Sequence, residues 1–248
     1  MPEPEASALR DRFDAVRSRL ENAAKASGRN MADIRLVAIS KTHPAPMLAE
    51  LFSYWRQGTP TFGENYVQEA LEKQKDVASL LVKSLNGASL PEWHFTGHVQ
   101  SRKAKDVTGR FALIHTLDSE KLAAQIRKAV LAENLPPQAV LLQINIGGEN
   151  QKSGLPAEEA ERFIDAVRGM EQVRVEGLMC LPPFSEDAEA SRPYFAAMRE
   201  LREALRTRTG LPLPHLSMGM SHDCEIAVSQ GATMVRVGTD IFGPRQYA

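Results

Sequence analysis

The sequence predicts an α/β fold, a single (β/α)8 TIM-type barrel with an additional N-terminal helix. Short β-rich apolar runs alternate with segments of helical periodicity, and eight such pairs follow one another along the chain. The length of 248 residues also suits one closed barrel. An open, doubly wound parallel sheet is the alternative that the same alternation allows. Both folds place binding groups at the carboxyl ends of their strands, so the site prediction holds for either.

Composition and charge favour a protein that handles small molecules. A hydrophobic content of 43% can fill a large core, and the length allows one large domain or two small ones. The eight strand–helix pairs predict one domain over residues 1–248, with residues 1–30 packed on it as a helix. Thirty basic and 31 acidic residues nearly cancel, which argues against nucleic acid and membranes as partners. The acidic first residues and the lack of a membrane-length apolar run predict a cytoplasmic protein. Isolated cysteines and scattered histidines give no reason to expect a disulfide or a metal site.

The predicted elements begin with an amphipathic helix. Leu9, Phe13, Val16 and Leu20 repeat at helical spacing, and Gly28 ends the repeat. Eight β-rich runs then predict strands, because each is too short for a helix and is bounded by turn residues. The strands are predicted at residues 34–41, 61–63, 93–96, 111–117, 139–146, 173–180, 215–218 and 234–237.

Helices between the strands are predicted from apolar periodicity and from capping residues. Asp118 or Ser119 is expected to start the helix after the fourth strand. Pro193 opens the long helix after the sixth strand, and Gly210 ends it. Ser221 is predicted to cap the helix after the seventh strand. The remaining helices are predicted near residues 44–52, 64–81, 101–107 and 156–167, with one further turn of helix after residue 238.

Lys41 stands at the carboxyl edge of the first strand, where an α/β fold binds its ligand. A lysine held inward at this position is partly desolvated, which lowers its pKa and leaves a neutral amine that can attack a carbonyl carbon. A solvated lysine at the rim is the alternative. Lys41 is therefore a candidate for forming a Schiff base. The groups around it distinguish an inward, reactive lysine from a solvated one.

The loops after the seventh and eighth strands have the composition of a phosphate site. In (β/α)8 barrels these loops and the start of a short extra helix often hold a phosphate, because backbone N–H groups point at the anion. Ser217 and Gly219 follow the seventh strand, and Gly238 and Thr239 follow the eighth. The glycines let the backbone approach the ligand closely. Ordinary turn and capping chemistry is the alternative for both loops.

Arg236 is predicted to point into the barrel. Side chains alternate along a strand, so if Val235 and Val237 face the helices, Arg236 faces the interior. A buried guanidinium needs a partner, because an unpaired buried charge is costly and arginine does not lose its proton. Glu64 and Glu176 are the candidate carboxylates, and an acceptor atom of a ligand is the other candidate.

Further side chains are candidates for the mouth of the barrel. Asn65 follows the second strand and is either a helix cap or a ligand contact, with the cap as the commoner role. Met179 ends the sixth strand and either lines the site or fills the core. Four more polar side chains share inward strand faces, where hydrogen bonding within the core is the alternative to ligand contact. They are His94, Thr96, Gln143 and Asn145.

Pyridoxal 5′-phosphate (PLP) is the cofactor that these candidates favour. Its aldehyde suits a Schiff base on Lys41, and its pyridine nitrogen suits Arg236. Its phosphate suits the loops at Ser217, Gly238 and Thr239. A phosphosugar aldolase also uses a Schiff-base lysine and a phosphate site. That alternative leaves Arg236 without a role and needs a further acid–base pair that the sequence does not show.

Seven segments of the sequence carry a family resemblance. They are 37–42 (VAISKT), 62–69 (FGENYVQE), 93–101 (WHFTGHVQS), 152–154 (KSG), 177–179 (GLM), 216–221 (LSMGMS) and 235–243 (VRVGTDIFG). In this order, from about residue 34 to residue 244, they resemble the pyridoxal phosphate homeostasis proteins, the YggS/PROSC family. The resemblance implies a barrel of the alanine racemase N-terminal type with PLP bound covalently to Lys41. It also implies a phosphate near Ser217, Gly238 and Thr239, and Arg236 toward the ring nitrogen. The predicted cofactor contacts further include Asn65, Thr96, Met179 and Gly219.

The resemblance also implies a function without established catalysis. The family acts in intracellular PLP (vitamin B6) homeostasis, so a carrier or reservoir is expected, with apo forms of PLP-dependent enzymes as acceptors. A monomer is predicted, and packing of the opening helix on another subunit is the alternative. Racemases of the related fold need a second base from an additional domain and a partner subunit, and this chain ends four residues beyond Pro244. PLP-dependent amino-acid racemase or lyase activity is the alternative. Two positions depart from the family pattern, Thr96 in place of an aliphatic residue and Arg102 in place of an asparagine.

Overall fold

Eight parallel strands close a barrel in the computed structural model, which describes residues 3–56, 58–82, 89–149 and 151–244. The strands are β1 (Arg35–Ile39), β2 (Thr61–Glu64), β3 (Glu92–Phe95), β4 (Leu113–Leu117), β5 (Gln138–Ile144), β6 (Val173–Cys180), β7 (His215–Ser217) and β8 (Met234–Val237). Neighbours in the chain pair with each other, and β1 also pairs with β8. This closure confirms the predicted (β/α)8 barrel and rules out the open sheet.

Helices cover the outside of the barrel. They are α1 (Glu3–Ala26), α2 (Ala45–Tyr54), α3 (Val67–Leu81), α4 (Ala104–Val107), α5 (Glu120–Ala132), α6 (Ala160–Val167), α7 (Arg192–Thr209), α8 (Cys224–Ser229) and α9 (Thr239–Phe242). The predicted extra turn of helix after β8 is confirmed as α9. Within the described ranges, no helix is both long enough and apolar enough to span a bilayer.

The N-terminal helix α1 packs on α2, α8 and α9 of the same chain. Its predicted apolar stripe is almost fully buried and consists of Leu9, Phe13, Val16 and Leu20. On the polar side of the contact, Arg19 forms ion pairs with Glu225 of α8 and Asp240 of α9. The additional N-terminal helix is thereby confirmed. The prediction of one domain over residues 1–248 includes positions outside the described residues and stays a prediction.

The core has two layers, because strand residues alternate between the helices and the barrel interior. Val235 and Val237 belong to the large outer layer between strands and helices, as predicted. A smaller apolar cluster fills the interior and consists of Val37, Leu113, Ala139, Leu141, Met179 and Met234. Buried polar side chains occupy the rest of the interior and lead toward the carboxyl ends of the strands.

Three of the predicted helix ends are confirmed and one is wrong. The hydroxyl of Ser119 accepts a backbone N–H in the first turn of α5, Pro193 lies in the first turn of α7, and Gly210 ends α7 with φ of 71°. Ser221 does not cap α8. The carboxylate of Asp223 accepts an N–H of the preceding loop and closes a turn there, so α8 begins after Asp223.

Candidate functional site

Lys41 lies in a tight turn directly after β1. The N–H of His43 donates to the carbonyl oxygen of Ser40 at 3.1 Å, and the hydroxyl of Thr42 donates to the carbonyl oxygen of Lys41 at 2.6 Å. Thr42 has φ of 67°, a left-handed conformation that β-branched residues rarely adopt. Lys41 itself is partly buried. The structure therefore places this lysine at the carboxyl end of β1, where the sequence predicted it.

A buried ion cluster lies behind this turn. The ammonium of Lys73, on α3, lies 2.7 Å from Oε1 of Glu64 and 2.6 Å from Oε1 of Glu69. It also donates to the carbonyl oxygen of Ser40 at 2.7 Å. The Lys73 side chain is 6% exposed and that of Glu64 is fully buried. Burial raises the pKa of Glu64, and the nearby ammonium opposes that rise.

The two predicted phosphate loops lie beside the Lys41 turn. A Cβ at Gly238 would stand 3.3 Å from both the Cβ and the carbonyl oxygen of Ile39, so glycine allows the β8–α9 loop to approach the end of β1. Thr239 begins α9 and is exposed. Gly219 has φ of 90°, and a Cβ there would meet a side chain of α8 at 2.4 Å. Because β7, β8 and β1 are neighbours, these loops and Lys41 share one side of the mouth.

Arg236 points into the barrel, as predicted, but its partners are neutral. It donates to the hydroxyl of Ser217 at 2.6 Å and to the carbonyl oxygen of Cys180 at 2.8 Å. Neither proposed carboxylate reaches it. Glu64 belongs to the buried ion cluster, and Glu176 lies nearer the amino end of β6, where it pairs with an arginine on the same strand. The hydroxyl of Ser217 is engaged inside the barrel, so its contact with a phosphate stays a prediction.

A chain of buried hydrogen bonds continues from Arg236 through the interior. Nδ1 of His115 lies 3.0 Å from the hydroxyl of Ser217, and Nε2 of His115 lies 3.0 Å from Nδ1 of His94. Burial lowers the pKa of both histidines, so both rings are neutral. One consistent pattern has Ser217 accept from Arg236 and donate to His115, which in turn donates to His94. The chain fixes the orientation of the guanidinium.

The other polar candidates hydrogen-bond within the protein. The hydroxyl of Thr96 donates to the side-chain oxygen of Asn65 at 2.8 Å, which brings these two predicted contacts together. Asn65 does not cap α3, because the helix begins two residues later. Gln143 and Asn145 donate to carbonyl oxygens of the β5–α6 loop, both at 2.9 Å. These two side chains hold that loop against the end of β5.

Two functional candidates, Lys73 and His115, were not predicted from the sequence. Lys73 falls between Ala70 and Val77 on the buried stripe of α3, and a charged residue on an apolar stripe is a usable signal. His115 lies within a strand that is buried on both faces, where alternation alone does not single it out. Met179 is 1% exposed and belongs to the interior cluster, so packing accounts for it.

A sequence-family model described as alanine racemase, N-terminal domain, matches residues 12–246 of the chain. Alanine racemase of Clostridium difficile superposes with a TM-score of 0.70 at 14% identity, over 97% of this chain and 58% of the racemase chain. At that identity the likeness shows the fold alone. The chain is therefore a barrel of the alanine racemase N-terminal class.

Relatives that align over nearly the full chain identify the family within this class. The chain is 39% identical over 237 residues to the pyridoxal phosphate homeostasis protein of Aquifex aeolicus, which covers 96% of this chain and 98% of the relative. It is 41% identical to the protein of that name in Escherichia coli K12, over 94% of this chain and 95% of the relative. PipY of Synechococcus elongatus with PLP bound superposes with a TM-score of 0.77 at 30% identity, over 95% of this chain and 100% of PipY. The chain belongs to the family of pyridoxal phosphate homeostasis proteins.

Proposed function

We propose that this chain binds PLP as a Schiff base on Lys41 and acts in intracellular PLP homeostasis. The observation that carries the proposal is the arrangement of two neighbouring strand ends, those of β1 and β8. Lys41 follows β1, and β1 pairs directly with β8, where Val37 lies opposite Arg236. The loop at Gly238 packs against the end of β1, so an aldehyde-reactive amine, an inward arginine and an exposed loop for an anion are neighbours. The PLP-bound relative PipY has the same fold at 30% identity.

The donors of the site fit the polar groups of PLP. The backbone at Gly238 and Thr239 is open for a phosphate, with the α9 dipole favouring the anion. Arg236 is buried and, within the described part of the chain, has no carboxylate partner, while burial lowers its pKa. A pyridine nitrogen is a neutral acceptor and suits such a guanidinium. The positive charge also disfavours protonation of the ring.

The proposed chemistry needs one amine from the chain. The neutral Nζ of Lys41 attacks the aldehyde carbon, a C=N bond replaces the C=O bond, and the oxygen leaves as water. Bound in this way, PLP supplies a reversible linkage that water or a second amine can break. Hydrolysis would restore the aldehyde and the free amine of Lys41. A lysine of another protein would instead form a new C=N bond to the same carbon, with Lys41 leaving as the free amine, and so receive the cofactor. This reversibility is what a carrier needs, and the acceptors we propose are apo forms of PLP-dependent enzymes.

We further propose that the protein has no amino-acid turnover, is a monomer and works in the cytoplasm. The naming of relatives near 40% identity as homeostasis proteins supports the carrier role. The fold shared with alanine racemase makes racemase or lyase activity the second candidate. A panel of L-amino acids incubated with PLP-loaded protein separates the two, because turnover that Lys41→Ala abolishes would overturn the carrier proposal.

Borohydride reduction followed by peptide mapping tests the linkage. Reduction of PLP-loaded protein is expected to leave one pyridoxyl-phosphate adduct, on the peptide that contains Lys41. Lys41→Ala is expected to lose the adduct and keep its fold, because a partly buried rim lysine contributes little to the core. The matched control is Lys121→Ala, which removes an exposed lysine of α5 and is expected to retain the adduct. An adduct on another lysine of the wild-type protein would refute the assignment.

A further inference from the structure

A cluster of three charged residues, Glu64, Glu69 and Lys73, lies directly behind the turn that carries Lys41. An ammonium has three N–H donors, and all three donors of Lys73 have partners. Two go to Oε1 of Glu64 and Oε1 of Glu69, at 2.7 and 2.6 Å, and the third goes to the carbonyl oxygen of Ser40 at 2.7 Å. The Lys73 cluster therefore ties α3 to the end of β2 and to the residue before Lys41.

The two carboxylates of the cluster contact both neighbours of Lys41. Oε1 of Glu64 accepts the hydroxyl of Ser40 at 2.7 Å, on the amino-terminal side. Oε1 of Glu69 accepts the N–H of Thr42 at 2.6 Å, on the carboxyl-terminal side. The backbone is thus held on each side of the lysine.

The conformation of Thr42 shows that these contacts hold the turn against the backbone preference of a β-branched residue. Its φ of 67° is disfavoured for a β-branched residue, and such conformations persist where the surroundings determine them. The Thr42 N–H is fixed by Glu69, and its hydroxyl is fixed by the carbonyl oxygen of Lys41. Without these contacts, Thr42 is expected to return to the extended backbone conformations that β-branched residues prefer. The direction of the Lys41 side chain would change with the turn.

We infer that Lys73 is a positioning residue for Lys41, acting through Glu64 and Glu69 on the turn of residues 40–42. The inference rests on the proposed function, since it concerns the rate at which Lys41 reaches the aldehyde. Lys73 bonds Ser40 directly and reaches Thr42 through Glu69, so it acts on both neighbours of the reactive lysine. The cluster aims the amine at the mouth before a ligand arrives, which lowers the entropic cost of forming the C=N bond.

A ligand that cannot form the bond separates positioning from folding. Pyridoxine 5′-phosphate has the ring and phosphate of PLP with an alcohol in place of the aldehyde. Its affinity therefore measures binding to the pocket without the reaction of Lys41. Lys73→Met is expected to slow Schiff-base formation with PLP about tenfold or more, measured by borohydride trapping over time. Its affinity for pyridoxine 5′-phosphate is expected to change by less than about threefold, because the phosphate loops and Arg236 are untouched.

Two further variants keep the test decisive. Leu205→Ala, in the buried face of α7, lowers stability away from the mouth and is expected to leave the trapping rate unchanged. Glu69→Ala removes the contact to Thr42 from a partly exposed position, so it is expected to fold and to slow trapping in the same direction. If Lys73→Met does not fold, the trapping rate of Glu69→Ala tests the inference in its place.

The outcomes distinguish this inference from the proposed function. Absence of a trapped adduct in the wild-type protein would overturn both. A wild-type adduct on Lys41 with an unchanged trapping rate in the cluster variants would overturn the inference alone. Equal losses for PLP and pyridoxine 5′-phosphate would also overturn it, because they would show a collapsed pocket.

Discussion

Replacing Arg236 by methionine is expected to weaken PLP binding while leaving the stability of the ligand-free protein nearly unchanged. The guanidinium makes two hydrogen bonds, to the hydroxyl of Ser217 and to the carbonyl oxygen of Cys180. Methionine fills a similar volume without a charge. The expectation depends on the finding that this buried cation has neutral partners.

The magnitude follows from two opposing contributions. Hydrogen bonds from a charged donor contribute about 1.5–3 kcal/mol each. The penalty for removing a charged side chain from water is several kcal/mol. Among the described residues no carboxylate forms an ion pair with Arg236, and the charge of Asp223 offsets only part of the penalty. The two contributions nearly cancel, so the free energy of unfolding is expected to change by less than about 2 kcal/mol. The lost contact to the ring nitrogen is expected to reduce PLP affinity about 10- to 150-fold.

Urea denaturation of the ligand-free protein and spectroscopic titration with PLP measure the two quantities separately. Arg29→Met is the matched control, because Arg29 is half-buried and, like Arg236, donates to a backbone carbonyl oxygen, that of Val228 at 2.7 Å. It is expected to retain wild-type PLP affinity. Wild-type affinity in Arg236→Met would refute the contact with the ring nitrogen. A loss of stability well above 2 kcal/mol, with affinity unchanged, would show that the arginine is purely structural.

Three further predictions concern the turn, the interior and the assembly. Thr42→Gly is expected to change the free energy of unfolding by less than about 1 kcal/mol, because relief of the left-handed backbone offsets the entropy that glycine adds to the unfolded chain. A urea midpoint far below wild type would contradict this. Burial holds the pKa of His94 and His115 below the ordinary value of 6.5, so stability is intact above pH 6.5 and falls below it, where the unfolded chain binds more protons. Denaturation at several pH values is expected to show a shallower fall for His115→Gln, and equal slopes would count against buried neutral rings. Sedimentation equilibrium is expected to give the mass of one chain, and a dimer mass would exclude the monomer.

The barrel could be predicted from the sequence because its signals are local. Each strand is a short β-rich run, and each run is followed within a few residues by a helical repeat or a cap. The inward direction of Arg236 was also predictable, since it needs only the alternation of neighbours along one strand. The start of α8 was not predictable in this way. The N–H of Met220 donates to the carboxylate of Asp223 and closes a turn before the helix, and residue types alone do not specify that turn.

The partners of the inward side chains could not be predicted, because they are distant in sequence. His115 and Ser217 are hydrogen-bonded at a separation of 102 positions, and Arg236 reaches Cys180 across 56. Such pairs depend on the register around the whole barrel, where a shift between two strands changes which side chains meet. Asn65 illustrates the same limit, since its partner Thr96 lies just after the neighbouring strand β3 and not in the helix that follows Asn65.

Among the described residues, Lys73 and Arg236 are both buried cations, but their surroundings differ in kind, and the difference indicates what each does. Lys73 has two carboxylates and a carbonyl oxygen, so its three donors are satisfied by the protein and it has no capacity left for a ligand. Arg236 has five donors in a planar fork, and its bonds within the barrel go to neutral oxygens. A ligand acceptor at the mouth therefore improves the environment of Arg236 and does nothing for that of Lys73. Removal of Lys73 should leave two uncompensated carboxylates in both the ligand-free and the PLP-bound protein. Removal of Arg236 should instead reduce chiefly the affinity for PLP.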